Sequence, residues 1–418
     1  MPNVILKTVI IGFCLIGWAV AELLIPMDLT QSNHLRAYGV AYKVLQSGDK
    51  VEWLLNFKGG SFMFPERPEW LALCQDWNVT TAWVSDTNAI YMTIEQNNME
   101  VILLERAPRI AVYTPPLNLD PWDDAAMLAL DYAHIPYDKI YDDDILEGKL
   151  RNYDWLHLHH EDFTGQLGKF WLSFGTAEWY LAMLAFENQA CQRSGFPSIS
   201  ERKKAVAREI YHYVDDGGFL FAMCSATDTL DIALASEGFD IVDSLYDGTP
   251  PDPQAQAKLD FSKCLAFKDF ELIFSQNIYE YSDIDTPRSV AGSPTDRYLT
   301  WSLFEFSAKS DPIPTLLTQD HVSTMYEFMG QTTSFNEDKL KSSAVIMGRY
   351  DTLPEVKYLY GSLGEGSFTF FGGHDPEDFQ HLVGDPPTDL DNFPNSPGYR
   401  LILNNILFPA ARREDLKT

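Results

Sequence analysis

Apolar residues along this chain recur at two spacings, and segments of the two kinds alternate. Helical spacing, with apolar positions three or four residues apart, covers 32–46, 65–78, 123–133, 200–214, 227–235 and 398–408. Short apolar runs of strand length cover 51–57, 99–105, 110–113, 155–159, 219–223, 344–347, 356–360 and 367–371. Strands separated by helices of this length predict an α/β protein with helices on both faces of its sheet.

The order of these segments predicts two folded units. Residues 22–107 form a small N-terminal α/β unit, and residues 108–418 form a flavodoxin-like three-layer sandwich with a mostly parallel sheet. Residues 245–343 interrupt the alternation with a loop rich in proline and aspartate and with strand-like pieces such as 313–317. We interpret this stretch as an insertion at the edge of the sheet.

The first 21 residues have a different pattern. Lys7 precedes an uncharged apolar run over 9–20, and residues 19–21 have the small-x-small form of a cleavage site. The run is too short to span a bilayer, which takes about 20 residues, and no later segment is long and apolar enough to do so. A secretory signal peptide over 1–21 is predicted, with a periplasmic or extracellular mature protein; the alternative is a buried first strand.

Composition narrows the range of partners. The formal net charge is −29, from 60 acidic and 31 basic side chains, and no Lys/Arg cluster offsets it locally. Such a chain repels phosphate backbones, so nucleic acid is not an expected partner. Four cysteines follow the predicted signal, without CxxC or metal-ligand spacing, and an oxidising compartment would permit any of them to form a disulfide: Cys74, Cys191, Cys224 and Cys264.

Cys224 is the first candidate for chemistry. It follows the strand at 219–223 and precedes the helix at 227–235, with the small residues Ala222 and Ala226 on either side. A nucleophile on a tight strand-to-helix turn needs small neighbours at these positions, and the helix N-terminus lowers a thiol pKa. The simpler interpretation is a buried packing cysteine.

His374 is the second candidate. It follows the strand at 367–371 and the pair Gly372-Gly373, and acidic residues lie within the next four positions. A thiol, an imidazole and an orienting carboxylate form the arrangement of a cysteine nucleophile with its base, and Glu377 is the predicted orienting group. Alternatively, the acidic residues and Pro376 only shape a turn.

A third cluster lies on and just after the strand at 155–159 and comprises His157, His159, His160, Glu161 and Asp162. Imidazole and carboxylate are metal ligands, but the helix-borne HExxH pattern is absent, so we expect no metal. His160 and Glu161 are predicted to line the cleft where this strand ends. The sequence also lacks the phosphate-binding GxxxxGK[ST] and GxGxxG motifs, so no cofactor is expected.

From about residue 109 onward, the layout resembles the class I glutamine amidotransferase-like superfamily. The resemblance rests on the cysteine turn, which here has alanines where the superfamily usually has glycines, and on a late His-Asp-Pro-Glu turn, in which Asp375 is an extra residue. GSFTFFGGHDPED with GYRLILNNILF is most similar to the ThuA-like branch, which is tied to carbohydrate processes and often lacks the nucleophile. The phrases HLRAYGVAYKVL, WLLNFKGGSF, HHEDFTGQ, FAMCSATDT and GGHDPEDFQH resemble exported Bacteroidota-type proteins labelled asparagine synthetase B.

Two functional hypotheses follow. The first is an exported amidohydrolase of glutaminase type in which Cys224 attacks, His374 is base and then acid, Glu377 orients it and the Ser225 N–H helps to bind the oxyanion. Asparagine synthesis is not expected, because the sequence has no Ser-Gly-Gly-x-Asp-Ser pyrophosphate loop. The second is a non-catalytic ThuA-like protein of the cell envelope that binds a carbohydrate or peptide in the same cleft. A small amide or carbohydrate is thus the expected ligand.

Overall fold

The computed structural model describes residues 22–117, 124–286, 298–380 and 384–411. The predicted signal peptide lies outside these residues. Within them the strands are β1 (Glu22–Ile25), β2 (Val51–Leu55), β3 (Ser61–Pro65), β4 (Ala82–Val84), β5 (Glu100–Leu104), β6 (Ile110–Tyr113), β7 (Asp138–Ile140), β8 (Trp155–Leu158), β9 (Phe219–Met223), β10 (Thr300–Leu303), β11 (Thr324–Tyr326), β12 (Phe335–Asn336), β13 (Val345–Tyr350), β14 (Glu355–Leu363) and β15 (Gly366–Phe371).

The helices in the same ranges are α1 (His34–Gln46), α2 (Pro68–Asp76), α3 (Thr87–Gln96), α4 (Ala125–Tyr132), α5 (Asp142–Leu146), α6 (Trp171–Phe174), α7 (Glu178–Ser194), α8 (Ile199–Asp215), α9 (Ser225–Ala235), α10 (Ser244–Asp247), α11 (Ala255–Lys258), α12 (Pro312–Leu317) and α13 (Pro397–Leu407). Several begin at a side-chain cap. Asn33 accepts the N–H of Arg36 at the start of α1, and Ser198 accepts that of Glu201 at the start of α8.

Two sheets divide the strands. The first has the order β4-β1-β3-β2-β5, with every neighbouring pair antiparallel. The second has the order β11-β10-β13-β14-β15-β9-β8-β6-β7, with β12 paired to β14. The predicted α/β class is therefore confirmed.

The larger sheet is mixed, so the prediction of a mostly parallel sheet is wrong. Neighbours from β7 to β15 (β7-β6-β8-β9-β15) run parallel, and those from β15 to β11 run antiparallel. The change of direction follows from the two-residue connection between β14 and β15, because so short a turn joins only antiparallel strands. Gly364 in this turn has a φ of +54°, a conformation that favours glycine.

Helices cover both faces of the parallel half. Alternate residues of each strand point to opposite faces, so Trp155 packs towards α4 and α13, whereas Leu156 packs towards α8 and α9. The core on the α4 side also includes α1 and the first sheet. The two sheets therefore share one continuous hydrophobic core.

The stretch 245–343 extends the antiparallel edge of the larger sheet through β10 and β11. The strand-like interpretation of 313–317 is wrong, because these residues belong to helix α12. Pro312 occupies the first turn of α12, where its fixed φ suits a helix and its missing N–H is not needed.

Candidate functional site

The three neighbouring parallel strands β8, β9 and β15 end side by side. Leu158 of β8 is opposite Ala222 of β9, and Met223 of β9 is opposite Phe371 of β15. The residues that follow are His159-His160, Cys224 and Gly372-Gly373-His374. Ligands of open α/β sheets bind beyond the carboxyl ends of the strands, so the topology brings the predicted residues to the expected edge.

Cys224 occupies a strained strand-to-helix turn. Its φ is 51° and its ψ is −139°, and it directly precedes α9. A side chain other than glycine rarely adopts a positive φ, and such strain concentrates at functional sites. The small residues Ala222 and Ala226 on either side are fully buried, as the sequence predicts for such a turn.

The Cys224 thiol is completely buried beneath the segment 330–332. The Gln331 N–H donates to Sγ at 3.1 Å. Gly330 lies so close that a Cβ built there would be 3.0 Å from Sγ and 3.0 Å from the backbone nitrogen of His374. Burial raises the pKa of the Cys224 thiol to about 11, although N–H groups of Thr332, Ser225 and Gln331 act in the opposite direction. The thiol is therefore protonated at neutral pH.

His374 faces histidines. Its ring centroid lies 4.1 Å from that of His159, nearly perpendicular, and 5.4 Å from that of His160, nearly parallel. The backbone N–H of His374 donates to the Met329 carbonyl at 3.0 Å, which fixes the chain at this point. We call His159, His160 and His374 the histidine cluster.

Glu377 lies beside Ser396, the residue that caps the start of α13. Its carboxylate takes a hydrogen bond from Ser396, and burial raises its pKa despite this bond. Asp375 accepts the Glu377 N–H at 2.9 Å, and burial together with the nearby Asp375 charge raises the pKa of Tyr399. Glu377 thus links the turn to the start of α13, and the orientation of His374 by Glu377 stays a prediction.

The remaining predicted residues, His160, Glu161 and Ser225, lie between the end of β8 and the start of α9. Glu161 accepts the His159 N–H through Oε2 at 2.8 Å. The Ser225 hydroxyl donates to the His160 carbonyl at 2.9 Å, while the Ser225 N–H points to the Cys224 sulfur. His160 and Glu161 are each only partly buried, so they lie where the cluster meets solvent.

Asp124 was not identified from the sequence as a site residue. It caps α4 by accepting the Met127 N–H at 2.9 Å. The same oxygen, Oδ1, lies 3.2 Å from Nε2 of His157 and 3.8 Å from Nδ1 of His159. The signal in the sequence is only an acidic residue before a helix, and its function as a cap accounts for it.

The loop after β8 carries further strain. Leu167 and Lys169 have φ values of 53° and 52°, and Gly165 and Gly168 are also left-handed. Nζ of Lys169 is buried against backbone carbonyls, and burial lowers its pKa to about 8. Gln331, in the segment 330–332 that buries Cys224, connects to this loop by donating from its side-chain amide to the Gly168 carbonyl at 2.8 Å.

Among the residues that the structure describes, two groups of side chains are spaced closely enough to hold a metal ion. In the histidine cluster, one ligand atom from each residue lies within 4.8 Å of the others, and the same holds for Asp124, His157 and His159. Imidazole nitrogens can also accept and donate protons.

A cavity of about 770 Å³ lies at the opposite, amino-terminal edge of the parallel strands. Its lining includes Asp154, which pairs with Arg106 at 2.9 Å and with Arg109 at 3.1 Å. These ion pairs fasten the start of β6 to the start of β8. The carboxyl edge remains the candidate site, because it carries the converging imidazoles.

No protein-family model matches this chain, and no curated protein matches it in sequence. Two cytoplasmic proteins of Salmonella typhimurium, STM3548 and STM1381, are similar in structure at 10% and 9% identity, with TM-scores of 0.35 and 0.34. Each similarity covers 73% of this chain and all of the Salmonella protein. A β-galactosidase from Bacillus circulans is similar at 10% identity and a TM-score of 0.28, over 69% of this chain and 31% of the enzyme. Similarity this distant carries no argument about function.

In the ranges that the structure describes, no helix combines the length and apolar character needed to cross a bilayer.

Proposed function

We propose that this protein hydrolyses an amide bond of a small polar molecule, with the histidine cluster as its reactive centre. One observation carries the proposal: His159, His160 and His374 converge at the carboxyl edge of neighbouring parallel strands. Amide hydrolysis needs a base that takes a proton from water and an acid that gives one to the leaving amine. Two imidazoles in contact supply both functions, because each ring has nitrogens that can accept and donate a proton.

In this proposal the two buried histidines have different functions. His159 has the Asp124 carboxylate 3.8 Å behind its Nδ1, so a proton taken up by this ring is stabilised by the negative charge. His374 lies against the His159 ring and receives or returns the proton. His160, which is partly exposed, contacts the substrate at the entrance.

The amide class is supported by the resemblance of the late His-Asp-Pro-Glu turn and the cysteine turn to glutamine amidotransferase-like proteins. The parallel half of the large sheet has helices on both faces, which supports a flavodoxin-like arrangement for that half. We also propose that residues 1–21 direct export. N-terminal sequencing of protein from the periplasmic fraction tests this, and the mature chain is expected to begin at Glu22.

A second candidate function is a cysteine-dependent amidohydrolase, and the strained turn at Cys224 favours it. In this mechanism Cys224 attacks, His374 is base and then acid, and Glu377 orients the imidazole. The segment 330–332 would have to leave the sulfur before a substrate could reach it. The pKa of about 11 for the resting thiol disfavours this mechanism.

Turnover of a panel of amides by matched variants separates the candidates. We expect His159→Gln and His374→Gln to lower kcat at least 100-fold, and Cys224→Ala to remain within a few-fold of wild type. His212→Gln is the control, because His212 is exposed on α8. Loss of activity in Cys224→Ala would favour the second candidate. Equal activity in all variants would reject both, and binding of an amide, sugar or peptide without turnover would favour a binding protein.

A further inference from the structure

We propose that the histidine cluster binds one divalent transition-metal ion of the zinc class. The ligands are one ring nitrogen each from His159, His160 and His374. Three imidazoles suit zinc and its neighbours rather than magnesium or calcium, which prefer oxygen ligands. The proposed site differs from the prediction made from the sequence, which was that no metal binds.

The ligand atoms are close enough for coordination after small side-chain rotations. They lie within 4.8 Å of one another, whereas nitrogens in a tetrahedral zinc site with bonds of about 2.1 Å are about 3.4 Å apart. His159 and His160 can both face the ion although they are adjacent, because β8 ends at Leu158 and the strand alternation no longer applies. Their rings are 5.1 Å apart and perpendicular.

Hydrogen bonds fix the backbone at or next to each of the three ligand residues. The His159 carbonyl accepts the Ala226 N–H at 3.4 Å, and the His160 carbonyl accepts the Ser225 hydroxyl at 2.9 Å. Gly373, just before His374, donates to the Thr332 carbonyl at 2.8 Å. Backbone positioning of this kind preorganises a site before the ion arrives.

One of the three ligands, His159, is close to a buried carboxylate. The Asp124 carboxylate lies 3.8 Å from Nδ1 of His159, so Nε2 of His159 is the nitrogen that faces the ion. A carboxylate behind a metal-bound imidazole fixes its tautomer and makes it more basic. The N-terminus of α4 in turn holds Asp124 through the Met127 N–H.

The other group with suitable spacing fits a metal less well. Asp124, His157 and His159 are all buried, and His157 already approaches the Phe221 carbonyl through Nδ1 at 3.1 Å and Asp124 through Nε2 at 3.2 Å. A ring whose two nitrogens both lie at hydrogen-bond distance from oxygens has neither to offer to an ion. The histidine cluster also includes the partly exposed His160, which gives an ion a path from solvent.

A zinc-class ion would supply a Lewis acid and a bound water of lowered pKa, which is the nucleophile that amide hydrolysis needs. This catalytic part rests on the proposed function. Metal binding itself rests only on the geometry of the cluster.

Metal content of the full chain, purified without a histidine tag, tests the proposal. Protein is stripped with a chelator, reloaded with Zn²⁺ and dialysed, and the zinc is counted by mass spectrometry. Affinity is measured by competition with a chromophoric chelator, and Co²⁺ loading is followed by visible absorption. We expect about one equivalent of zinc, at least tenfold weaker binding in His160→Gln and His374→Gln, and about 10- to 100-fold weaker binding in Asp124→Asn. His212→Gln is the control and should match wild type.

Circular dichroism confirms that each variant is folded, and the partly exposed His160 gives the variant least prone to misfold. Substoichiometric zinc in wild type, or unchanged zinc in the triple Gln variant of the cluster, would overturn the proposal. Amide turnover by fully stripped protein would overturn the metal's part in catalysis and leave the hydrolase intact. One bound equivalent without turnover of any amide would keep the metal site and reject the hydrolase.

Discussion

At the scale of single residues, the surroundings of Cys224 decide its reactivity. The strained turn presents a nucleophile, yet the sulfur is fully buried beneath 330–332 and burial raises its pKa to about 11. At pH 7 only about one thiol in ten thousand would be ionised. Backbone geometry and protonation state therefore point in opposite directions at this position.

Alkylation of Cys224 by iodoacetamide should be slow at pH 7 and should accelerate about tenfold per pH unit up to about pH 11, because only the thiolate reacts. Mass mapping of the Cys224 peptide gives the rate. His374→Gln is the comparison, and it should leave the rate unchanged. Rapid alkylation at pH 7 that disappears in His374→Gln would instead establish an activated thiol–imidazole pair.

Asp228, on the first turn of α9, should make stability depend on pH. Burial raises its pKa to about 7, although the Thr332 hydroxyl donates to it at 3.0 Å. The folded state keeps a proton that the unfolded chain releases near pH 4, so stability falls by about 1.4 kcal/mol per unit as pH rises from about 4 to 7. Urea unfolding of Asp228→Asn should show this contribution removed. The exposed Asp216→Asn is the control, and identical slopes for Asp228→Asn and wild type would contradict the assignment.

The location of a residue in the fold was predictable from the sequence where the residue directly follows a strand. Cys224, His160 and His374 follow apolar runs, so their arrival at one edge is predictable from the alternation of strands and helices. Asp124 was missed, because a cap residue carries no sign of the imidazoles that it approaches from another part of the chain. The contact of segment 330–332 with the Cys224 sulfur is not predictable either, because this segment belongs to a stretch without clear periodicity.

At the scale of elements, α8 is fastened by buried charges. Nζ of Lys203 lies 2.9 Å from Oδ2 of Asp142, on α5, and 3.3 Å from Oε1 of Glu187, on α7. Arg202 pairs with the same two carboxylates. Two cations and two anions inside the protein tie α5, α7 and α8 together at one point.

Lys203→Met should lower the free energy of unfolding by about 3–5 kcal/mol, because it leaves two buried carboxylates with one cation. Arg208→Ala is the matched control on the same helix. Arg208 pairs with Glu237 at 2.7 Å near the surface, where an ion pair contributes about 0–1 kcal/mol. Urea denaturation at pH 7 measures both, and a loss below 1 kcal/mol for Lys203→Met would show that the network contributes little.

Element types were predictable where one periodicity dominates, as in α1, α8 and β9. The apolar run at 313–317 is short enough to fit a strand or a helix, and Pro312 in its first turn favours the helix that the structure shows. Strand direction was not predictable beyond the parallel half, because a two-residue turn after β14, rather than a helix, makes β15 antiparallel to β14.

At the scale of the whole molecule, α13 connects the two sheets. Arg400 on this helix donates to the Met27 carbonyl at 2.8 Å and to the Tyr38 hydroxyl at 3.1 Å. His34, at the start of α1, stacks on His321 with ring centroids 4.1 Å apart. Because one core serves both sheets, calorimetry should show one unfolding transition rather than two.

The junction should weaken in acid. Burial lowers the pKa of His34 to about 3, and the charges of Arg400 and His321 act in the same direction. The unfolded chain binds a proton on this residue near pH 6.5 and the folded state excludes it, so stability falls as pH decreases from about 6.5 to 3. Urea unfolding of His34→Gln between pH 4 and 7 should show a shallower slope than wild type. An equal slope, with His212→Gln as the control, would contradict this.

The central place of β15 has a consequence for assembly. This strand lies between β9 and β14, yet it follows every other strand of its sheet in the chain. During synthesis, the side of β9 that β15 later occupies stays open, with a fully apolar sequence at an unpaired strand edge. Pairing between strands so distant in the chain is slow. Nascent molecules should therefore depend on holding chaperones, and refolding yield should fall as protein concentration rises.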